Sequence, residues 1–592
     1  MHSNRRVSRR RSRASIPWRL SLTVLGIPVL LLVLTVVYST LIADRHIDVV
    51  VVDRVTGTPI AGATIETAAG TFQTDADGRA RVPRTAQGPW RIVVPDYDAV
   101  TFTPEPGVRR LRVPLRPNVV HGTVVRNGDG APIAGVLVRA EVGGVGIVDA
   151  TTDASGAFTL RGVPDGATLT FTHSDFAPAT VQLISDRTTV DVALKPDVLR
   201  GVVRDSHGNP VRAIVAAESG WVTSEADGTF RLKGVEPGAQ VVVKAPGHRS
   251  VEATVPASME LAVTLEPLVV RAIYINALVA SKPDALEKRL ELVDRTEVNA
   301  VVIDLKDSTG QVYYDTRVAL AHEIGAVRPI LQPAELVRAL EARGIYTIAR
   351  IVVFEDPILA EARPEWAIKD RTTGRAWRTW NGVAWVNAYR QEVWQYNVAL
   401  AREAADFGFD EIQLDYIRFP TDGPLQKADY GVPHTAENRT AAIREFLRRV
   451  HEALLPTPAY LGADIFGLTM WELSDSGIGQ NLETIVEQVD YVCPMLYPSH
   501  FWPGSLGFEI PNDHPYEVMR WSLENGLERV PPEARRKFRP WLQDFSYGPG
   551  KAYGPEEVRA QIRAVYDAGL DSWMLWNADS VYQEAALEAA SS

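Results

Sequence analysis

The hydrophobic pattern of the chain changes character twice. From Leu20 to Ala43 there are 24 residues without a charge, including the run LLLVLTVV. About 20 apolar residues suffice to span a bilayer as a helix. From residue 47 to 266 apolar and polar positions alternate in short runs such as Ile47–Val52 and Ala157–Leu160, a period of two that predicts β-strands. From about residue 267, short apolar runs alternate with longer stretches of helical period. Strands are expected at Val269–Asn276, Ala300–Asp304, Tyr346–Val353, Glu411–Tyr416, Tyr460–Phe466, Tyr491–Tyr497, Arg539–Asp544 and Ser572–Trp576. Helices are expected between them, for example at Pro333–Arg343, Arg390–Phe407, Ala436–Leu454 and Pro555–Ala568. Eight such alternations predict a (β/α)8 TIM barrel over 267–592. An open doubly wound sheet is the rival, but no Gly-x-Gly-x-x-Gly turn follows the first strand.

The middle region repeats itself. Gly57-Thr58-Pro59, Gly130-Ala131-Pro132 and Gly208-Asn209-Pro210 lie 73 and 78 residues apart. A second motif recurs as Thr74-Asp75-Ala76-Asp77-Gly78, Thr152-Asp153-Ala154-Ser155-Gly156 and Ser224-Glu225-Ala226-Asp227-Gly228. Turn residues at fixed offsets between strands predict three small antiparallel β-sandwiches, at 44–117, 118–196 and 197–266. The pattern resembles the carboxypeptidase regulatory-like domains, which implies a transthyretin-like sandwich. A stalk is the simplest role for them. Glycan binding, the alternative, calls for exposed aromatics, and Trp90 and Trp221 are the only tryptophans there.

Charge changes the picture at the N-terminus. The net charge is −11, yet residues 1–19 hold seven arginines and no acid, which leaves −18 for the rest. An acidic body argues against a nucleic-acid partner. Arginines flanking an apolar run favour a cytoplasmic tail (1–19) and a transmembrane helix (20–43), with repeats and barrel outside the cell membrane and the lipid bilayer as a partner. A cleaved signal peptide is the competing reading, although its apolar core is usually shorter. Cys493 is the one cysteine, so no disulfide framework forms. His500 and His514 are isolated, and no His-Glu-x-x-His spacing occurs; neither a metal nor another cofactor is expected.

Barrel active sites gather at the C-terminal ends of the strands. The polar residues predicted there are Asp304, Lys306 and Asp307 after strand two, Arg350 in strand three, and Asp415 and Arg418 after strand four. Asp464 ends strand five, Tyr497 strand six, Trp541 and Asp544 strand seven, and Trp576 strand eight. Carboxylates converging on one mouth suit glycoside hydrolysis, which takes one to attack and one to protonate the leaving oxygen. Of the 14 tryptophans, 11 lie in this domain, with Trp366, Trp377, Trp380 and Trp385 together after strand three, where they suggest a lid or sugar platform.

The run Phe409-Asp410-Glu411-Ile412-Gln413-Leu414-Asp415-Tyr416-Ile417-Arg418-Phe419-Pro420 resembles the strand-four signature of a family of glycoside hydrolase-type barrels, DUF4015. Val302–Asp307, Gly462–Gly467 and Val489–His500 match it as well. The resemblance implies a glycosidase barrel of unassigned substrate. The order of acids is also similar to the α-amylase clan, which would make Asp415 the nucleophile, Asp464 the acid/base and Asp544 the transition-state stabiliser. Position 464 is Asp where that clan has Glu, and Gln413 stands in place of its Arg. The chitinase-type pattern fits less well, because Ile417 occupies the place of its catalytic Glu. The expectation is therefore a membrane-anchored, extracytoplasmic, retaining glycoside hydrolase acting on an oligo- or polysaccharide. Asp415 and Asp464 would be catalytic, and Asp304, Lys306, Arg350, Arg418, Tyr497, Trp541, Asp544 and Trp576 would bind substrate. The alternative is a non-catalytic carbohydrate-binding or cell-envelope scaffold on a degenerate barrel.

Overall fold

The computed structural model describes residues 31–37, 45–143, 145–184 and 186–590. Two compact units divide at residue 196. The first holds two β-sandwiches, and the second holds the third sandwich and the barrel.

One expectation is corrected at the outset. Among the described residues no helix is long and apolar enough to cross a membrane. The described helical residues 31–37 number seven, about 10 Å of helix against a hydrocarbon core of about 30 Å. The rest of the expected span 20–43 and the tail 1–19 lie outside the described residues. The transmembrane element of the fold class, the bilayer partner and the single-pass localisation fall with that finding.

All three repeats share one topology of seven strands in two sheets. In the first, the strands are His46–Asp53, Thr64–Thr67, Gly70–Gln73, Arg79–Pro83, Trp90–Val93, Val100–Phe102 and Arg110–Leu115. The first strand lies between the fourth and the last, antiparallel to one and parallel to the other. The remaining four form the facing sheet, and the same order recurs in repeats two and three. The expectation of purely antiparallel sandwiches therefore misses one parallel pair per repeat. That pair arises because the last strand returns alongside the first in the same direction.

The recurring Thr/Ser-acid-x-x-Gly motif has a structural cause. The Thr74, Thr152 and Ser224 hydroxyls are buried; each donates to a backbone carbonyl (Ile60, Ile133, Val211) and accepts a backbone N–H (Ala63, Val136, Ala213) at 2.7–2.9 Å. The glycine four residues on closes the turn at positive φ, +69°, +77° and +84°. A Cβ there would stand 2.6, 2.4 and 2.3 Å from the Val51, Val124 and Val203 carbonyl oxygens. Gly156→Ala should accordingly destabilise the second sandwich by about 2 kcal/mol or more, through left-handed backbone strain plus the clash. Denaturant unfolding of the full chain checks this, and a loss below about 0.5 kcal/mol would refute the packing argument.

The barrel closes from eight parallel strands: Arg271–Ile275 (β1), Ala300–Lys306 (β2), Tyr346–Val352 (β3), Glu411–Asp415 (β4), Tyr460–Phe466 (β5), Tyr491–Met495 (β6), Trp541–Gln543 (β7) and Trp573–Trp576 (β8). Each pairs with the next, and β8 pairs with β1. Side chains alternate between two cores. Ile303, Ile351, Leu414 and Ile465 pack outward beneath the helices, while Ala272, Val302, Ile348, Cys493 and Met574 fill the interior.

The third sandwich is fused to the barrel floor. Its loop between Gln240–Lys244 and Val251–Thr254 lies against the N-terminal ends of β5 and β6. Lys244 is fully buried and donates to the carbonyls of Ala459, Leu454 and Thr457 at 2.7, 3.0 and 3.3 Å. Burial pulls its ammonium down to about 8, opposed by the Asp490 charge. The Tyr460 hydroxyl bonds the Ala245 and His248 carbonyls, and the Tyr491 hydroxyl takes the Gly247 N–H. A loose stalk is therefore a poor description of the third repeat.

Candidate active site

The alternation that hides apolar residues below carries polar ones inward at the top of the same strands. Arg350, on β3, is the hub. Its Nη1 donates to Asp304 Oδ1 at 2.7 Å, and its Nη2 and Nε donate to Asp415 Oδ2 at 2.6 and 3.2 Å. Asp304 also takes the Tyr274 hydroxyl. All three charged residues are buried. Burial works against the guanidinium charge, but the two carboxylates outweigh it and hold Arg350 well above its ordinary range. Burial raises Asp304, with Arg350 opposing.

Asp415 Oδ1 accepts the N–H of Tyr416 at 2.6 Å. Tyr416 itself sits at φ +53°, a conformation that costs a bulky residue energy and clusters at functional sites. Asp464 accepts the Trp541 indole N–H at 2.7 Å. Burial, followed by the Asp415 charge, pushes its carboxyl well above the usual range. Two carboxyl groups on neighbouring strands thus occupy unlike environments, the condition for separate acid and base roles.

Aromatic rings wall this cluster. Tyr274 and Trp576 stack at 4.1 Å between centroids, Trp541 meets Trp576 edge-on at 5.5 Å, and the Arg350 guanidinium lies 5.0 Å over Trp576. Tyr497 packs edge-on against Phe545 at 5.6 Å, and its hydroxyl feels Asp464 and Asp415. Arg418 is 8% exposed and is held between the rings of Phe466, Trp385 and Tyr416 at 4.4, 4.9 and 5.0 Å. It donates to the Phe419 carbonyl and forms no ion pair among the described residues.

Of the residues expected from sequence, the structure brings together Asp304, Arg350, Asp415, Asp464, Tyr497, Trp541 and Trp576, with Arg418 beside them. Lys306 is elsewhere. A register shift separates it from Asp304, and its Nζ forms a buried ion pair with Asp356 at 2.9 Å and donates to the Val352 carbonyl at 2.6 Å. An ammonium 1% exposed and bound to these two internal partners speaks against its reading as a substrate ligand. Asp307 closes a turn through Thr309 and the Tyr313 hydroxyl. Asp544 stands apart, its Oδ2 taking the Gln583 N–H at 3.0 Å while Oδ1 is buried without a partner. Burial pushes it up to about 6.

The tryptophan-rich segment after β3 is divided: two of its four rings are core and Trp366 is half-buried. Trp377 and Trp385 are 1% exposed, whereas Trp380 is 76% exposed and is the one of the four open to act as a platform.

Sequence reasoning missed Glu355. It lies three residues past the end of β3, partly buried, and burial pushes its carboxyl up to about 7. The available signal was the Glu355-Asp356-Pro357 run, an acid pair between a strand and a helix start.

The family described as "Putative glycosyl hydrolase domain" matches residues 272–582, more than half of the chain. The carboxypeptidase regulatory-like domain matches residues 119–195, the second sandwich. No curated protein matches the chain. A solved hypothetical protein from Ruminiclostridium thermocellum is 31% identical, with 32% of this chain and 96% of that one covered and a TM-score of 0.29. The PgaB (BpsB) glycoside hydrolase domain from Bordetella bronchiseptica is 14% identical, with 53% and 95% covered and a TM-score of 0.41. A class V chitinase from Pseudomonas fluorescens is 13% identical, with 54% and 98% covered and a TM-score of 0.33. At such scores these likenesses carry no argument about the site.

Proposed function

The chain belongs to that glycosyl hydrolase family, and on this premise we propose that its barrel hydrolyses glycosidic bonds of an oligo- or polysaccharide, with Asp415 attacking the anomeric carbon. The observation that carries the reading is the pairing of unlike carboxyls at one mouth. Asp415 is aligned by Arg350 and the Tyr416 N–H, while burial and the Asp415 charge raise the Asp464 carboxyl. Glycoside hydrolysis takes an attacking carboxylate and a proton donor, and two raised carboxyls that feel the Asp415 charge, Asp464 and Glu355, are candidates for the donor. Asp304 orients Arg350 from the other side, and Trp576, partly exposed and backed by Tyr274 and Trp541, supplies an aromatic surface for a sugar ring. Retention of configuration follows if Asp415 bonds to carbon, and inversion if it activates water.

The test is reducing-end release by the full chain on a panel of plant, fungal and bacterial glycans, with the anomer of the first product read by proton NMR. Cleavage of one glycan supports the reading; a chain that folds and cleaves none counts against it. One observation favours the scaffold alternative: Asp415 is only 5% exposed and both its oxygens are already bonded. On that alternative, a glycan would bind the wild type and Asp415→Asn equally and be cleaved by neither.

A further inference from the structure

We propose that Glu355, and not Asp464, is the carboxyl that protonates the departing glycosidic oxygen; the assignment rests on the hydrolase reading above. The backbone sets up its position. Past the end of β3, Val353 N–H donates to the Asp415 carbonyl at 2.9 Å and Phe354 N–H to the Tyr416 carbonyl at 3.3 Å. The chain therefore leaves β3 still joined to the end of β4, and Glu355 is the next residue. The charged groups that act on it are Arg350 on β3, Asp415 on β4, and Arg418 and Asp422 from the loop after β4.

Adjacent carboxyls have opposite fates here. Asp356 is fully buried, paired with Lys306, and caps the helix Pro357–Ala362 through the Leu359 N–H at 2.9 Å. Glu355 remains partly exposed, and no hydrogen bond or ion pair among the described residues holds its carboxyl. An unbonded carboxyl just past the end of β3, on a segment paired with the end of β4 and feeling the Asp415 charge, can reach a substrate oxygen without first breaking an internal contact.

The proton balance also separates the two candidates. A general acid works best when its pKa is near the operating pH. Burial brings Glu355 to about 7, with Asp415 and Asp422 raising it and Arg418 and Arg350 opposing. Asp464 is 1% exposed and is occupied by the Trp541 indole, so it has neither the access to solvent nor the unbonded carboxyl that Glu355 has. Asp464 is then a positioning residue that fixes Trp541 against Trp576.

In the first step an Asp415 oxygen bonds to the anomeric carbon as the bond from that carbon to the leaving oxygen breaks, and the Glu355 proton passes to that oxygen. In the second step a water gives a proton to the Glu355 carboxylate. Its oxygen bonds to the anomeric carbon, the bond to Asp415 breaks, and both carboxyls are restored.

The experiment compares the full-length wild type, Glu355→Gln and Asp464→Asn on the glycan that the wild type cleaves and on the glycosyl fluoride of the sugar released. Fluoride departs without a proton. Glu355→Gln should lower kcat/KM on the glycan by roughly 10²–10⁴-fold, the usual contribution of general acid catalysis, and on the fluoride by less than about tenfold. Wild-type kcat/KM should fall as pH rises through about 7, because the required proton is lost, and the variant should lack that limb. Asp464→Asn should lower both substrates alike. Equal losses on both substrates in Glu355→Gln, or a retained limb near 7, would overturn the assignment while leaving the hydrolase reading intact. A wild type that cleaves no glycan would remove the hydrolase reading, and this assignment with it, by a different result.

Discussion

Asp415→Asn is expected to slow glycan cleavage by about 10⁴-fold or more, the scale on which removal of an attacking group operates. The amide keeps the shape of the carboxylate, but its single acceptor oxygen can serve Arg350 or the Tyr416 N–H and not both, and it has no charge with which to attack carbon or activate water. Arg350 keeps Asp304 as a partner at 2.7 Å, so its buried charge is not abandoned. The loss of stability should therefore stay below the 3–5 kcal/mol typical of a buried pair broken outright. The measurements are kcat and KM by reducing-end release, with chemical denaturation as the control. A variant within tenfold of the wild type would show that Asp415 is not the attacking group.

The second large effect is on stability. Lys306→Met is expected to cost about 3–5 kcal/mol, because it leaves the Asp356 carboxylate alone in the protein interior. The pair is almost wholly desolvated, at 1% and 0% side-chain exposure. Lys306→Met combined with Asp356→Asn should recover a substantial part of the loss. The double variant has no orphaned charge, and Asn remains a good N-cap for the helix that Asp356 begins. Denaturation followed by tryptophan fluorescence reports chiefly on the barrel domain, which holds 11 of the 14 tryptophans. Equal losses in the single and double variants would show that the ion pair is not the cause.

Much of this architecture is legible from sequence because its cause is local. The eight barrel strands show as short apolar runs, and their ends differ from the observed ones by only one or two residues. The sandwich repeats show through a hydroxyl and a glycine whose partners lie within about 30 residues of chain. The site is legible only as a set of inward positions. Whether Lys306 meets substrate or Asp356 depends on a residue 50 positions away. Glu355 escapes notice because what distinguishes it is burial beside Asp415 and Arg418, about 60 residues further on. The tryptophan cluster after β3 misleads for a related reason. Composition counts Trp377, Trp380 and Trp385 equally, and only packing separates two core anchors from one exposed ring. The apolar run 20–43 is a different matter, since its expectation rests on hydropathy and flanking arginines and not on packing.

The fusion of the third sandwich to the barrel floor decides where this protein can be cut. A fragment starting at residue 272, the family boundary, would lose Lys244. It would uncap the carbonyls of Leu454, Thr457 and Ala459 and strand the hydroxyls of Tyr460 and Tyr491, one of whose neighbours is the buried Arg539–Glu411 pair. Water would then enter the barrel from below. The smallest inheritable piece of this enzyme-like body therefore starts near residue 197, with one sandwich serving as the plug of the vessel above it.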